Sequence, residues 1–253
     1  MTILSTRQHI LDQLGRLRLP AFRQALEAQL ATPQYDELSF EERLSLLVEA
    51  EVLQRQENRI QRRVREAHFQ QTAWVQEIDF SLGRNMQRQQ ILQLAQNTWI
   101  RKGLNLIIIG PTGAGKTYIA CALGRAACEQ DLVTRYFRLP RFFQEMKIAQ
   151  LEGVYPKLIR SLHKTDLLIL DDWLRDTPSL VEAQFLLDIL DDRYNRMATL
   201  LVSQFPIADW HARIPDPTLA DAILDRLVHN AHRIELQGES QRKIRAERTM
   251  SST

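Results

Sequence analysis

The chain has 253 residues, of which 44% are apolar and 25% are charged. This length allows one sizeable core and a smaller module, and this composition is that of a soluble globular protein. The formal net charge of +2 excludes a globally basic nucleic-acid-binding protein, so any contacts with phosphates must come from local patches. No apolar stretch approaches the roughly 20 residues of a membrane span, and the charged first 20 residues lack the apolar core of a secretory signal.

The two cysteines indicate a reducing compartment. Cys121 and Cys128 lie seven residues apart on one predicted helix, which separates them by about 10 Å along its axis. They cannot form a disulfide across that distance within the helix. We therefore expect small packing residues and a cytoplasmic location.

The first part of the chain is predicted to be helical. Apolar spacing predicts a helix over residues 5–17, and Pro20 opens a second helix through residue 31. Ser39 and Glu42 form the capping box of a long third helix, whose second half is polar and basic and which we expect to end near Phe69. The predicted domains are a helical domain at 1–69, a connecting segment at 70–83 and a second domain at 84–253.

The second domain alternates strands and helices. Most of its strands are near-continuous apolar runs, which is typical of parallel strands covered on both faces. This pattern predicts a three-layer α/β fold with a parallel sheet. After a helix at 86–97, the predicted strands are 105–109, 134–138, 167–170, 199–202 and 232–236, and the predicted helices are 116–129, 140–151, 155–163, 181–195 and 218–229.

A phosphate-binding loop follows the first strand. The sequence GPTGAGKT matches the pattern G-x-x-x-x-G-K-[ST], and a strand before it with a helix after it is the context this motif requires. Glycines let the backbone aim its N–H groups at phosphate oxygens, and the helix N-terminus attracts anions. Lys116 is predicted to reach the β- and γ-phosphates, and the Thr117 hydroxyl to bind Mg²⁺. The predicted ATP-binding residues are Gly110, Pro111, Thr112, Gly113, Ala114, Gly115, Lys116, Thr117 and Tyr118.

Two acidic residues end the third strand. Asp171 and Asp172 follow the apolar run LLIL, at the sheet edge where open α/β folds bind ligands. We expect Asp171 to hold the Mg²⁺ hydration shell and Asp172 to polarise the attacking water. The alternative is that both acids only cap the strand and solvate the loop.

Two further residues are candidates for the transition state. Gln204 follows the next strand, where its amide would orient water against the γ-phosphate; the alternative is an ordinary turn. Arg226 lies in the later turns of a helix that Asp216 would cap. It would act on the site of a neighbouring subunit as an arginine finger. The alternative is a surface arginine paired with Asp221 or Asp225.

These motifs resemble the IstB family of AAA+ ATPases, which insertion sequences encode and which are close to the DnaC helicase loaders. The resemblance runs from about Leu11 to Lys243 and is most specific over residues 203–243, which begin SQFPIADWH. It implies an N-terminal helical domain, an AAA+ core with little or no C-terminal lid, and a bacterial cytoplasmic protein. It also implies ATP-dependent self-assembly on duplex DNA and stimulation of a partner transposase.

The resemblance assigns roles residue by residue. Gln204 is similar to the first sensor, Arg226 to the arginine finger, and Arg242 lies near the position of the second sensor. Asp172 stands where most AAA+ proteins have glutamate, and its shorter side chain predicts slow hydrolysis without a partner. Many relatives have a glycine soon after the acids, whereas this chain has WLR at 173–175, so we expect a different local turn.

The region after the second strand is locally basic. In related initiators and loaders, an inserted helix at this place lines the nucleic-acid channel. Contacts with phosphates carry no base information, so we expect sequence-tolerant, salt-dependent binding of duplex DNA. The alternative is a solvated charged face, and the basic half of the third helix is a second candidate surface. The predicted DNA contacts are Arg138, Arg141, Lys147, Lys157 and Arg160.

Other functions stay open at this stage. A helicase loader has the same core, a DNA-binding scaffold would use ATP only as an assembly switch, and a small-molecule kinase would need a second pocket and a lid. The six histidines show no metal-ligand spacing with the cysteines, so we predict no zinc site.

Overall fold

The computed structural model describes residues 3–80 and 85–237. The chain divides into two compact units, Met1–Arg62 and Arg63–Thr253. In the described part of the chain, no helix is both long and apolar enough to span a membrane.

The first unit is helical, as predicted. Helix α1 covers Ile3–Arg16, α2 covers Pro20–Ala31 and α3 covers Phe40–Ala67, continuing past the division between the units. The predicted capping box of α3 is confirmed, because the Ser39 amide donates to Glu42 Oε2 at 2.8 Å and the Glu42 amide donates to Ser39 Oγ at 3.3 Å.

Helix α2 is capped by a residue of α3. Glu51 Oε2 accepts hydrogen bonds from the backbone N–H groups of Ala21 and Phe22 at 3.0 and 3.1 Å. These N–H groups lie in the first turn of α2 and have no acceptor within the helix. Burial opposes ionisation of this carboxyl, but bonds from Arg55, Phe22 and Ala21 lower its pKa overall. This buried carboxylate fixes α2 against α3.

The second unit is built on a five-stranded parallel sheet. The strands are β1 (Asn105–Ile109), β2 (Thr134–Arg138), β3 (Leu167–Asp171), β4 (Ala198–Ser203) and β5 (Ala231–Glu235). Their order is β2-β3-β4-β1-β5, with every neighbouring pair parallel. The predicted α/β fold is confirmed, and the carboxyl ends of β1, β3 and β4 meet at one edge of the sheet.

Helices cover both faces of this sheet. Two buried clusters fill the space between the helices and the sheet, and the side chains of β1, β3 and β4 contribute to both clusters. The helices are α4 (Arg88–Ala95), α5 (Thr98–Arg101), α6 (Lys116–Glu129), α7 (Leu139–Leu151), α8 (Tyr155–Leu162), α9 (Leu180–Arg193) and α10 (Pro217–Val228).

The predicted helix at 86–97 is confirmed as α4 (Arg88–Ala95), and a second short helix, α5, follows it. Asn97 adopts φ +59° and separates α4 from α5, and its side chain donates to Ala126 O of α6 at 3.1 Å. Asparagine tolerates this left-handed conformation, and the tertiary bond selects it, so the local pattern could not reveal the break.

The segment from Ala73 to Ile78 packs on the core of the second unit. Ala73, Val75 and Ile78 are buried in the same cluster as β1 and α6. The Trp74 ring lies 4.8 Å from the Arg125 guanidinium. Residues that the sequence assigned to a connection therefore contribute to the hydrophobic core of the second unit.

A buried arginine organises the amino edge of the sheet. Arg193, at the end of α9, is 1% exposed. Its guanidinium donates to Leu162 O and Thr165 O at 3.1 and 3.0 Å, and its Nε donates to Thr199 Oγ1 at 3.2 Å. One side chain thus joins α8, the start of β3 and the start of β4.

We expect Arg193→Met to lower the free energy of unfolding of this unit by about 3 kcal/mol or more, because several buried acceptors lose their donor. All four tryptophans lie between residues 74 and 210, so tryptophan fluorescence during urea unfolding reports this unit. Arg196→Met, at an exposed position three residues on, is the matched control. Equal midpoints for the two variants would contradict the role of Arg193.

Candidate nucleotide-binding site

The phosphate loop turns sharply away from β1. Gly110, Gly113 and Gly115 have φ values of +154°, +84° and +93°, which residues with side chains rarely adopt. A Cβ at Gly110 would lie 2.6 Å from Leu236 O, so the backbone directly after β5 also requires a glycine there. Gly115 is the N-cap of α6, and the first amides of that helix face the loop, as anion binding requires.

Lys116 spans the loop. Its Nζ donates to Gly110 O at 2.7 Å and to Pro111 O at 2.9 Å. Burial lowers the pKa of Lys116, and the carboxylates of Asp171 and Asp172 oppose that shift. The ammonium group is therefore held within the loop, where it would meet the phosphates of a nucleotide.

Asp171 lies under the loop and is 5% exposed. Its Oδ2 accepts the Thr117 hydroxyl at 2.7 Å and the Tyr136 hydroxyl at 2.7 Å. Its Oδ1 accepts the backbone N–H of Asp172, also at 2.7 Å. The structure thus brings together Thr117 and Asp171, the two residues predicted to hold Mg²⁺.

Tyr136 is a site residue that the sequence analysis missed. Burial, together with the charge of Asp171, raises the pKa of this tyrosine far above its usual range, so its hydroxyl stays protonated and donates to the carboxylate. A tyrosine within a strand normally indicates packing. Only the pairing of β2 with β3 places it beside Asp171.

Asp172 is held by two arginines. It adopts φ +55°, and its Oδ2 accepts Arg138 Nε at 2.7 Å and Arg175 Nη1 at 3.3 Å. Arg138 was predicted to contact DNA, and Arg175 was not singled out. In the sequence, Arg138 ends one strand and Asp172 follows another, so only the sheet register brings them together.

The turn after Asp172 is made without glycine. Leu174 adopts φ +51° and is fully buried, and the Trp173 ring lies 5.8 Å from the Trp210 ring. Trp173 N donates to Val202 O at 2.8 Å, and Ser203 Oγ donates to Trp173 O at 3.1 Å. Apolar burial and bonds to β4 hold a conformation that glycine would otherwise adopt more readily.

Gln204 lies beside the phosphate loop. Its Oε1 accepts the Thr112 hydroxyl at 3.0 Å, and β4 pairs with β1 so that Ser203 lies opposite Ile109. The predicted first sensor is therefore next to the loop that would hold the γ-phosphate.

Arg226 lies at the opposite edge of the sheet. The side chain of Asn105, the first residue of β1, donates to Arg226 O at 2.9 Å. Gly110 follows the other end of that strand, about 16 Å away. The Arg226 guanidinium bonds Asp191 of α9 and also donates to Ala222 O at 3.0 Å. Within one chain, Arg226 is thus remote from the phosphate loop.

The sequence model of the IstB-like ATP-binding proteins matches residues 12–249. The chain belongs to this family. It is 41% identical over 233 residues to an insertion sequence ATP-binding protein of Sinorhizobium fredii, covering 92% of this chain and 95% of that one.

Solved structures show the same fold as this IstB-like protein. The DnaC helicase loader matches with a TM-score of 0.51 and 19% identity, over 59% of this chain and 87% of that one. The replication initiator DnaA, bound to AMPPCP and single-stranded DNA, matches with a TM-score of 0.57 and 16% identity, over 73% of this chain and 56% of that one. At these identities the likeness shows the fold alone.

Some of the predicted DNA contacts of this IstB-like protein are paired with acidic residues, and others are exposed. Arg141 pairs with Glu145 at 3.3 Å, and Lys147 pairs with Glu182 at 2.8 Å. Lys157 and Arg160 are exposed on α8. Arg242, the predicted second sensor, lies outside the described residues.

We expect Asp171→Asn and Asp172→Asn to separate metal binding from hydrolysis. Mg²⁺ raises the ATP affinity of the wild type, and in Asp171→Asn this increase should be smaller by a factor of about ten or more. The reason is that an amide is a poorer ligand than a carboxylate for a hard cation. Asp172→Asn should keep that gain and lose turnover. Titration of a fluorescent ATP analogue with Mg²⁺ or EDTA measures the first effect, and phosphate release measures the second. An Asp171→Asn variant with wild-type dependence on Mg²⁺ would contradict this assignment.

Proposed function

We propose that this IstB-like protein is an ATPase that assembles on duplex DNA when it binds ATP and stimulates a partner transposase. The contact between Thr117 and Asp171 beneath the phosphate loop supports the ATPase part of this proposal. It places a hydroxyl and a carboxylate 2.7 Å apart at the edge of the sheet where ligands bind.

The loop residues bind and orient the triphosphate. Backbone N–H groups of residues 110–117 and the N-terminus of α6 receive phosphate oxygens. Lys116 moves from the loop carbonyls to the β- and γ-phosphates. Gln204, next to Thr112, orients the attacking water against the γ-phosphate.

Thr117 and Asp171 suit Mg²⁺, since that ion prefers hard oxygen ligands and usually binds one or two protein groups together with substrate phosphates. When bound, Mg²⁺ neutralises charge that develops on the phosphate oxygens. In the described residues, no group of three or more His, Cys, Asp or Glu side chains could hold a metal by itself. That finding fits an ion that arrives with the nucleotide.

Arg226 acts in a neighbouring subunit. It lies at the edge of the sheet opposite its own phosphate loop. Because its side chain is partly exposed on α10, it is accessible to another subunit. An arginine finger supplied in trans stabilises charge in the transition state and makes hydrolysis depend on assembly. ATP turnover would thus occur only between assembled subunits.

DNA lies along α7 and α8. Lys157 and Arg160 are exposed on α8 and are favoured as phosphate contacts, while Arg138, Arg141 and Lys147 lie on or beside α7, each paired with an acidic residue. The names of the relatives associate the family with insertion sequences, which favours a transposase over a replicative helicase as the partner.

We expect Lys116→Ala to abolish ATP binding and the ATP-dependent assembly on duplex DNA. Arg226→Ala should keep ATP binding but lose turnover by roughly a thousandfold, as loss of an arginine finger does. Phosphate release and particle size, measured together with and without DNA across a salt series, test both variants.

Mixing two variants tests the action in trans. An Arg226→Ala subunit keeps an intact nucleotide site, and an Asp172→Asn subunit keeps its arginine. If Arg226 completes the neighbouring site, a mixture of these inactive variants should regain part of the wild-type turnover. A mixture that stays inactive while it assembles normally would contradict the role in trans.

We expect Lys157→Gln and Arg160→Gln each to weaken DNA binding for all sequences and to reduce the slope of log affinity against log salt by about 1. Fluorescence anisotropy with two unrelated duplexes measures this. Lys102→Gln, a change at an exposed position shortly before β1, is the control. Unchanged slopes in both α8 variants would remove α8 from the DNA interface.

A further inference from the structure

The outer edge of the sheet is unpaired. Strand β2 is the first in the sheet order and pairs with β3 alone. Among the described residues, the backbone groups of Arg135, Tyr136 and Phe137 form no hydrogen bond beyond that pairing. An edge strand of this kind presents a row of free N–H and C=O groups, to which another extended chain can pair.

A cavity opens along this edge. Its volume is about 680 Å³, and the four consecutive residues from Arg135 to Arg138 line it. Residues 68–70 form one wall, where Phe69 packs on the buried cluster that contains α6. The first turns of α7 form the other wall, and α7 packs on the cluster at the opposite face of the sheet. The open edge of β2 therefore lies in a slot between two walls, with a volume in the range of ligand sites.

The slot is basic. Four arginines line it against one glutamate, so the site favours a ligand with negative charge. Arg138 and Arg175 contact Asp172, and Arg141 pairs with an acid one turn further along its own helix. Arg135 is partly buried, and in the described part of the chain its guanidinium has neither an ion pair nor a hydrogen bond. It is therefore the arginine of the slot that is left for an outside group.

We propose that the open edge of β2 binds an extended, acidic segment of a protein partner, which adds to the sheet as a further strand. Its main chain pairs with the free groups of β2, and a glutamate or aspartate opposite Arg135 supplies the charge pair. The edge, the slot and its charge carry the docking site. That the segment belongs to the transposase rests on the proposed function.

A second copy of this chain fits the slot poorly. Strand β2 reads TRYFR, so two copies of it would bring two arginines from each strand together. Like charges on paired strands are destabilising. The edge therefore favours a strand of different sequence and opposite charge.

DNA also fits the slot less well than a peptide does. Phosphate oxygens only accept hydrogen bonds, whereas the edge of β2 offers acceptors as well as donors. An extended peptide presents both kinds of group in alternation and can satisfy both. The exposed cations of α8 remain the better place for the phosphates of a duplex.

The first test uses fluorescent peptides as long as β2, which has five residues. In this panel, glutamate alternates with valine, threonine or tyrosine. We expect the full chain to bind them without ATP or DNA, and the amides of β2 to exchange hydrogen more slowly in the complex. Methylation of alternate peptide nitrogens keeps the charge but removes main-chain donors, so binding should be lost.

Variants of Arg135 test the charge pair. Arg135→Gln should weaken binding of the glutamate peptides by about two- to fivefold, the range of an opposite-charge pair across strands. Arg135→Glu should weaken it by about tenfold or more, because like charges then face each other. The same variant should bind peptides with lysine in place of glutamate better than the wild type does. Arg101→Glu, at an exposed position on α5, is the matched control, and the melting temperature confirms that each variant is folded.

A further measurement identifies the partner. Arg135→Glu should keep ATP binding and assembly on duplex DNA, yet lose about tenfold or more of its affinity for the transposase. The glutamate peptides should compete with the transposase for the wild type. A wild type that does not bind the transposase would contradict the proposed function, while the peptide measurements would still decide the docking site.

Three results would overturn the inference. If no peptide of the panel binds at millimolar concentration, the arginines only protect the edge against aggregation. If the methylated peptides bind as well as the unmethylated ones, or the lysine peptides show no gain with Arg135→Glu, the contact is not a paired strand opposite Arg135. If Arg135→Glu weakens binding of duplex DNA and leaves peptide binding unchanged, the slot belongs to the DNA surface.

Discussion

The buried carboxylate of Asp171 is the constraint on which the rest of the nucleotide site depends. It accepts hydroxyl groups from α6 and from β2 on one oxygen and the next backbone amide on the other. If these donors were lost, the buried acceptor would be left unpaired, and the folded state would be destabilised by about the free energy of desolvating that group. The phosphate-loop helix, β2 and β3 are therefore fixed relative to one another before any nucleotide binds.

The polar residues at the two edges of the sheet have different roles. At its carboxyl edge, Lys116, Asp171 and Gln204 lie in or beside the phosphate loop, and each forms hydrogen bonds with residues of that loop or of α6. At its amino edge, the side chains of Arg193 and Asn105 form hydrogen bonds with backbone groups of the same chain. Arg226 stands at this second edge, so the same architecture that builds the nucleotide site keeps its proposed finger away from it.

Electrostatic pairing within the chain shapes the proposed function. Arg226 is bound to Asp191, and Asp172 is bound to Arg138 and Arg175. Each of these contacts engages a side chain that is proposed to act in hydrolysis. Partly exposed ion pairs cost little to open, so these contacts are compatible with the proposed roles.

The sequence by itself determined the phosphate loop, the acidic end of β3 and the α/β fold, because these signals are local: fixed spacing within eight residues, and apolar runs of strand length. Only the tertiary structure decided that Tyr136 bonds Asp171, that two arginines hold Asp172 and that Asn97 separates α4 from α5. Tyr136 and Asp171 are 35 positions apart in the chain, and Arg138 and Asp172 are 34 apart. Such partners are set by strand order and register, which no pattern of spacing within one element encodes.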